Sequence, residues 1–444
     1  MTELLILWIA LLVALLVLAV GPPGRGGALT LAYFLALSLI HVPGVLVSLG
    51  IDPDLADIAD TRLGFEVTLA GMAAFVAGAV AARLTGRTRP ETVHGAPDPS
   101  AGFGSLGWRA LAIGAGSYLL LSSAFGRLAS ATAIVSSFPN LLILGFWMLY
   151  YHPGAPADPR RRVLALGLLP LLPLTTLVTG GFLAYGIHWV LGILAFCYVV
   201  ARCRLWIYLA SPLLVFLGLS LFVTYMGQRE AIRDVVWHEQ ASLFDRVEQV
   251  SRILTDFQLL DLSSDAHLTA IGDRLNQNAL VGAAIARHQA GYYDLAYGGT
   301  VPLWGFVPRA LWPDKPAVGG GGSLVSEYTG IPFAEGTSVG AGQALEFYIN
   351  FGIPGVLAGF AGLGFLLMRL DLGIVRAFAS GDLPGLLLRA MPGLSLLQPG
   401  GNLLEILVAL VGAVLGAVAL LYSGVFGHQA APRRTTPEPE ISAP

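Results

Sequence analysis

Leu4 to Val20 reads LLILWIALLVALLVLAV, a run without one charged residue. Comparable runs recur about eleven times along the 444-residue chain, and a helix needs about 20 apolar residues to cross the hydrocarbon core of a bilayer. That recurrence constrains the fold more than any motif. Composition agrees: 55% of residues are hydrophobic and 12% are charged, against about 25% charged in soluble domains. The expectation is an all-α polytopic membrane protein, with the lipid bilayer as its first partner. A net charge of −3 gives no attraction for nucleic acid. Two cysteines, Cys197 and Cys203, make neither a disulfide framework nor a metal site. Only Met-Thr-Glu precedes the first run, without the basic region or cleavage site of a signal peptide. It reads as a retained first span.

The predicted spans are 3–20, 28–49, 63–82, 108–126, 130–151, 163–180, 182–201, 205–225, 345–368, 384–398 and 403–422. The tenth is short and contains Arg389. Basic residues in short loops mark the cytoplasmic side. One set of alternate loops holds Arg25, Arg83, Arg87, Arg89, Arg160, Arg161, Arg162, Arg202, Arg204, Arg369 and Arg376, with Arg433 and Arg434 in the tail. The short loops of the other set hold only Arg62 and Arg127. The asymmetry predicts the N-terminus outside and the C-terminus in the cytoplasm. Four regions follow: a membrane domain over 1–225, an extracytoplasmic loop over 226–340, further spans over 341–422, and a Pro-rich polar tail over 423–444 whose composition predicts disorder.

A long loop inside a compact protein is usually functional. From Leu243, apolar residues fall at Val247, Val250, Leu254 and Phe257, which is helical spacing. A second helix is predicted over 265–289, with Arg274, Gln277 and Asn278 sharing a polar side. The plain reading places both helices over the membrane surface, polar side to water. Beyond Gly291 turn signals crowd: YGGTVP, VPRALWPDKP, AVGGGGS, YTGIP. Pro308, Pro313 and Pro316 exclude helix and hold Arg309 and Lys315, the only lysine of the chain, in a rigid segment. GGGGS by itself reads as a linker. A helix then re-enters the membrane, with Glu346 and Asn350 four residues apart on one face beside Phe347 and Tyr348. A carboxylate there needs a partner or water, so Glu346 is either solvated at the interface or faces a cavity beneath the loop.

VPRALWPDKP, then YTG, then EFYINFGIPGVLAGF leading into a late span resembles the O-antigen polymerase (Wzy-type) family, the oligosaccharide repeat-unit polymerases. The likeness is specific over roughly 265–365; elsewhere only topology supports it. One departure is Leu345, where the resemblance implies a glycine. It implies a GT-C-like membrane glycosyltransferase in the bacterial cytoplasmic membrane. Such an enzyme joins polyprenyl-pyrophosphate-linked oligosaccharides on the outer side and uses no nucleotide sugar. A chain-length regulator and a flippase would be its partners.

That chemistry sets the candidate residues. Charge builds on the leaving pyrophosphate, so preorganised cations would stabilise the transition state, and guanidinium grips phosphate bidentately. Arg309, Lys315 and Arg274 are the candidates, with Arg246, Arg252 and Arg287 behind them. Lys315 could instead pair with Asp314 and brace the loop. Tyr328, Tyr348 and Asn350 are candidates for sugar contact. The acceptor hydroxyl needs a general base: Glu346 first, then His267 and His288, with Glu327 a further possibility. Asp52 and Asp54 in the acidic loop IDPDLADIAD could serve a metal, or simply be solvated. The large loop has no tight carboxylate cluster, so catalysis is expected to be metal-independent and to use no cofactor. An O-antigen ligase, a polysaccharide flippase or other transporter, and a non-catalytic scaffold are the competing readings.

Overall fold

The computed structural model describes residues 1–21, 26–50, 57–86, 100–121, 134–151, 167, 169, 171–200, 204–238, 242–302, 307, 312, 314, 321–333, 337 and 339–426. Among these residues every regular element is a helix. In chain order they are α1 (Thr2–Val20), α2 (Ala28–Gly50), α3 (Asp57–Thr85), α4 (Ser100–Leu121), α5 (Asn140–Tyr150), α6 (Leu171–Gly180), α7 (Leu183–Val199) and α8 (Arg204–Arg233). There follow α9 (Leu243–Thr255), α10 (Asp265–Arg274), α11 (Gln277–Gln289), α12 (Gly321–Thr329), α13 (Gln343–Ser380), α14 (Leu383–Ser395) and α15 (Leu403–Tyr422).

Six of the described helices are long and apolar enough to cross a membrane: α1, α2, α3, α8, α13 and α15. The chain is therefore of the polytopic helical membrane class. Eleven spans were expected. The shorter apolar helices α5, α6 and α7 have 10–17 residues, so the shortest of them rises only about 15 Å against a hydrocarbon core of about 30 Å. The expected span over 384–398 is the 13-residue α14, which is about 20 Å long and ends at Ser395. The eighth span does not stop at 225: α8 runs on to Arg233 and closes with a π-helical turn, Asp234–His238.

The core is built on α3. Its glycines let other backbones approach, as small residues do between membrane helices. A Cβ on Gly78 would overlap the Ala361 carbonyl of α13, and one on Gly364 would overlap the Phe75 carbonyl of α3. On the same helix, Gly64 meets the Asn278 carbonyl of α11, and Gly282 of α11 meets the Asp60 carbonyl. Around these crossings Tyr33, Phe34, Phe75, Phe360 and Phe378 are fully buried. Leu345, at the position where the resemblance implies glycine, is buried here too.

The helix expected over 265–289 is two helices, broken at Leu275–Asn276. Pro43 inside α2 removes a donor, and the next amide, Gly44 N–H, turns out to bond the Leu275 carbonyl at 3.0 Å. Asn276 donates to Thr61 Oγ1 at 2.9 Å. The second half does not lie on a surface with its polar side to water. Asn278 is buried, exchanging bonds with His41: its Oδ1 meets His41 Nδ1 at 2.7 Å and its Nδ2 donates to the His41 carbonyl at 2.7 Å. Arg274, Gln277 and Asn278 thus share no common face. In α9 a capping box joins Ser242 and Asp245. Val250 and Ile253 of α9 are buried, whereas Val247 and Leu254 of the expected stripe are exposed.

Candidate functional site

Helix α13 begins at Gln343 and kinks nine residues on. Gly352 has non-helical φ/ψ and Pro354 follows. Pro354 has no N–H, so the Asn350 carbonyl loses its helical partner. The loop that follows α11 supplies replacements. Tyr297 N–H donates to the Asn350 carbonyl at 2.9 Å, and Ala296 N–H to the Ile349 carbonyl at 2.8 Å. The Asn350 side chain completes the clamp. Its Oδ1 accepts from Gly298 N–H at 2.9 Å and Thr300 N–H at 3.4 Å. Its Nδ2 donates to Thr300 Oγ1 at 2.5 Å and to the Glu346 carbonyl at 2.8 Å. At 2% exposure Asn350 has its polar atoms satisfied by protein. It is a staple for the loop rather than a free hand for a sugar.

Beneath the stapled loop lies a cavity of about 450 Å³. Its walls include Tyr297, Val301, Glu346, Phe347, Phe351 and Leu403. Glu346 is 1% exposed, and one of its carboxylate oxygens accepts from Leu403 N–H, the first amide of α15. It thereby caps a second helix across space, as a side-chain acceptor satisfies the orphan N–H groups of a helix start. Glu346 also lines the wall of the cavity. Tyr297 stands over this cavity. Among the described residues it is the one non-glycine with positive φ, at 47°, and it is 75% exposed. A left-handed conformation costs an ordinary residue about 1–2 kcal/mol, and such strain collects at binding sites. Sequence reasoning passed over Tyr297; the signal was its place before the turn-forming Gly298-Gly299.

The other expected residues fall into three places. Tyr348 points from α13 toward α11, where His288 Nδ1 meets its hydroxyl at 3.1 Å. Tyr293 lies tilted beside His288, at 5.3 Å between ring centres, and meets Tyr328 edge-on at 4.9 Å. His288, Tyr328 and Tyr348 therefore form one aromatic cluster with Tyr293, apart from the face bearing Glu346 and Asn350. Burial first, then Tyr348 and Tyr328, pushes the Tyr293 phenol above its usual range; burial, then Glu327, raises that of Tyr328. Both stay protonated donors. Arg287 borders this cluster: its guanidinium fills the space a Cβ on Gly330 would need and lies 4.7 Å from the Tyr292 ring centre.

Arg274 is elsewhere, with two arginines that sequence reasoning missed. Burial first, then Arg229 and further Arg233, holds its guanidinium below the ordinary value. Hydropathy alone ends the span at 225, whereas α8 carries on through polar sequence and places Arg229 and Arg233 on the helix. His267 belongs to neither group. Its Nδ1 accepts from Asp261 N–H at 3.1 Å, so Nε2 carries the proton toward Gln258 Oε1 at 3.3 Å. It locks a turn. Arg252 forms an exposed pair with Glu248 at 3.1 Å. Arg309, Lys315, Asp52, Asp54 and the tail beyond 426 lie outside the described residues. Among the described residues no three His, Cys, Asp or Glu side chains come together.

Fold and site together define a helical membrane protein with a part-polar cavity where one long helix begins. No family model matches the chain, and neither a curated protein nor a solved structure does.

Proposed function

We propose that the chain is a polysaccharide polymerase of the GT-C-like class. It joins polyprenyl-pyrophosphate-linked oligosaccharide units on the outer side of a bacterial cytoplasmic membrane. The carrying observation is the cavity under residues 296–301. A buried carboxylate, aromatic side chains and a strained exposed tyrosine meet there, near the start of a helix that falls within the 265–365 stretch of the resemblance. The roof leads directly into the segment carrying Arg309 and Lys315.

The reaction uses these groups in order. An acceptor sugar hydroxyl attacks the anomeric carbon of the donor chain. Its proton passes to the Glu346 carboxylate, by the oxygen not held by Leu403. The bond from the anomeric carbon to the pyrophosphate oxygen breaks, and polyprenyl pyrophosphate departs with the electron pair. Arg309 and Lys315 neutralise that charge. Tyr297 and Phe347 offer ring faces to the sugars. Nucleotide sugar plays no part, and the flippase and chain-length regulator act before and beside this step.

Deletion with complementation tests the reading on a polysaccharide gel. Loss of the ladder with a single repeat unit retained marks a polymerase. Loss of attached glycan while free polymer persists marks an O-antigen ligase, and an unchanged ladder removes both.

A further inference from the structure

The far end of α13 holds a second cavity, of about 220 Å³, lined among others by Arg369, Arg376, Ser380, Asp382 and Arg389. Three guanidiniums face one carboxylate. Even that pair is loose: Arg389 Nη1 stands 3.8 Å from Asp382 Oδ2, with both side chains over 40% exposed. Asp382 is already engaged as the cap of α14, accepting from Gly385 N–H at 2.8 Å. Among the described residues neither the Arg369 nor the Arg376 side chain has a hydrogen-bond or ion-pair partner. The site leaves positive charge uncompensated.

The position of Arg389 is built in. A Cβ on Gly373 of α13 would overlap the Arg389 side chain, and one on Gly385 of α14 would overlap its guanidinium. The two glycines open the groove in which this arginine lies, and Nη1 donates to the Gly385 carbonyl at 2.7 Å. Arg369 reaches toward Gly86 at the end of α3, so three helices converge on the same place. From the kink at Gly352 to Arg369 is 17 residues, about 26 Å of helix. That is close to the roughly 30 Å of a hydrocarbon core, so the cavity lies at the membrane interface opposite the Glu346 site. Leu366, one turn before Arg369, and Leu388, beside Arg389, are exposed.

We infer that this cavity binds the phosphate group of an anionic phospholipid, with the acyl chains lying along Leu366 and Leu388. Planar guanidiniums suit a phosphate held at close quarters, and basic pockets between membrane helices take lipid headgroups. The site is independent of the proposed polymerase activity.

The test uses the purified full chain in phosphatidylcholine vesicles, with and without phosphatidylglycerol, and with inorganic phosphate added to the neutral vesicles. Retained lipid is read by native mass spectrometry and thermal stability is followed in parallel. Phosphatidylglycerol is expected to be retained and to raise Tm. Arg369→Gln with Arg376→Gln is expected to weaken retention by roughly five-fold per guanidinium lost, and Arg376→Lys to keep most of it. Stabilisation by inorganic phosphate equal to that by the lipid would keep the phosphate site and assign its ligand to solution. Lipid retention equal in wild type and the double variant, or no response to either anion, overturns the proposal.

Discussion

Asp371 lies deep in α13, 2% exposed, and its carboxylate is spent on another helix. Oδ1 accepts from Leu29 N–H at 2.9 Å; Oδ2 accepts from Thr30 N–H at 2.9 Å and from Thr30 Oγ1–H at 2.7 Å. Residues 28–30 open α2, whose first amides have no partners of their own. Removing the carboxylate with Asp371→Ala leaves two buried amides unpaired at about 1–3 kcal/mol each, plus a small void. The net expectation is a loss of about 3–6 kcal/mol. Asp371→Asn keeps one carbonyl acceptor and forfeits the charge, costing about 1.5–3 kcal/mol. Thr30→Val deletes only the hydroxyl bond, costing about 1 kcal/mol. Unfolding entropy scales with length, so a chain this long shifts its Tm by about 1 °C per kcal/mol. Thermal unfolding of the three variants in one detergent should therefore rank them Thr30→Val, Asp371→Asn, Asp371→Ala, with the last about 3–6 °C below wild type. A loss under about 1 kcal/mol for Asp371→Ala, or equal effects of Thr30→Val and Asp371→Ala, would refute the cross-helix capping.

Three further outcomes follow, two from the site and one from the turn that His267 locks. Asn350→Leu strips the loop over 296–300 of its side-chain bonds; hydrogen exchange at Gly298 and Thr300 should rise at least ten-fold, and unchanged exchange would show that the backbone bonds suffice. Tyr297→Gly relieves a positive φ and should stabilise the loop by about 1 kcal/mol while lowering polymer yield; yield equal to wild type would remove Tyr297 from the site. Asp261 accepts from the Ser263 hydroxyl and amide, which hold its carboxyl below the ordinary 3.8. A depressed folded value means the turn is stabilised above pH 3.8 and loosens as pH falls through that lower value. Protection of the Ser263 amide should follow that course, and protection that weakens with rising pH would contradict the sign.

What could be read ahead of the structure was whatever depends on local periodicity. The long apolar helices were legible as runs, and Glu346 and Asn350 came out on one wall because four residues make one turn. The break at Leu275–Asn276 was not legible. It depends on the Gly44 amide, next to Pro43 in a helix more than 200 positions away, which binds the Leu275 carbonyl. Asp371 was hidden for the same reason, since nothing near it in the chain marks it as the cap of α2. Tyr297 takes its strained φ because Pro354 freed a carbonyl that its amide then binds. Arg229 and Arg233 were lost to a boundary set by hydropathy, although the helix itself carries on into polar sequence. The aromatic cluster of His288, Tyr328 and Tyr348 contains residues already suspected, but gathered between α11 and α13 rather than at the cavity.

Glu346 is asked to do two things, cap α15 and take a proton, and one substitution separates them. Glu346→Gln keeps a carbonyl oxygen for the Leu403 amide and loses the base. The account predicts wild-type protein in the membrane and a polysaccharide gel reduced to the single repeat unit. A full ladder from Glu346→Gln at normal protein level would contradict it, leaving Glu346 as a helix cap alone.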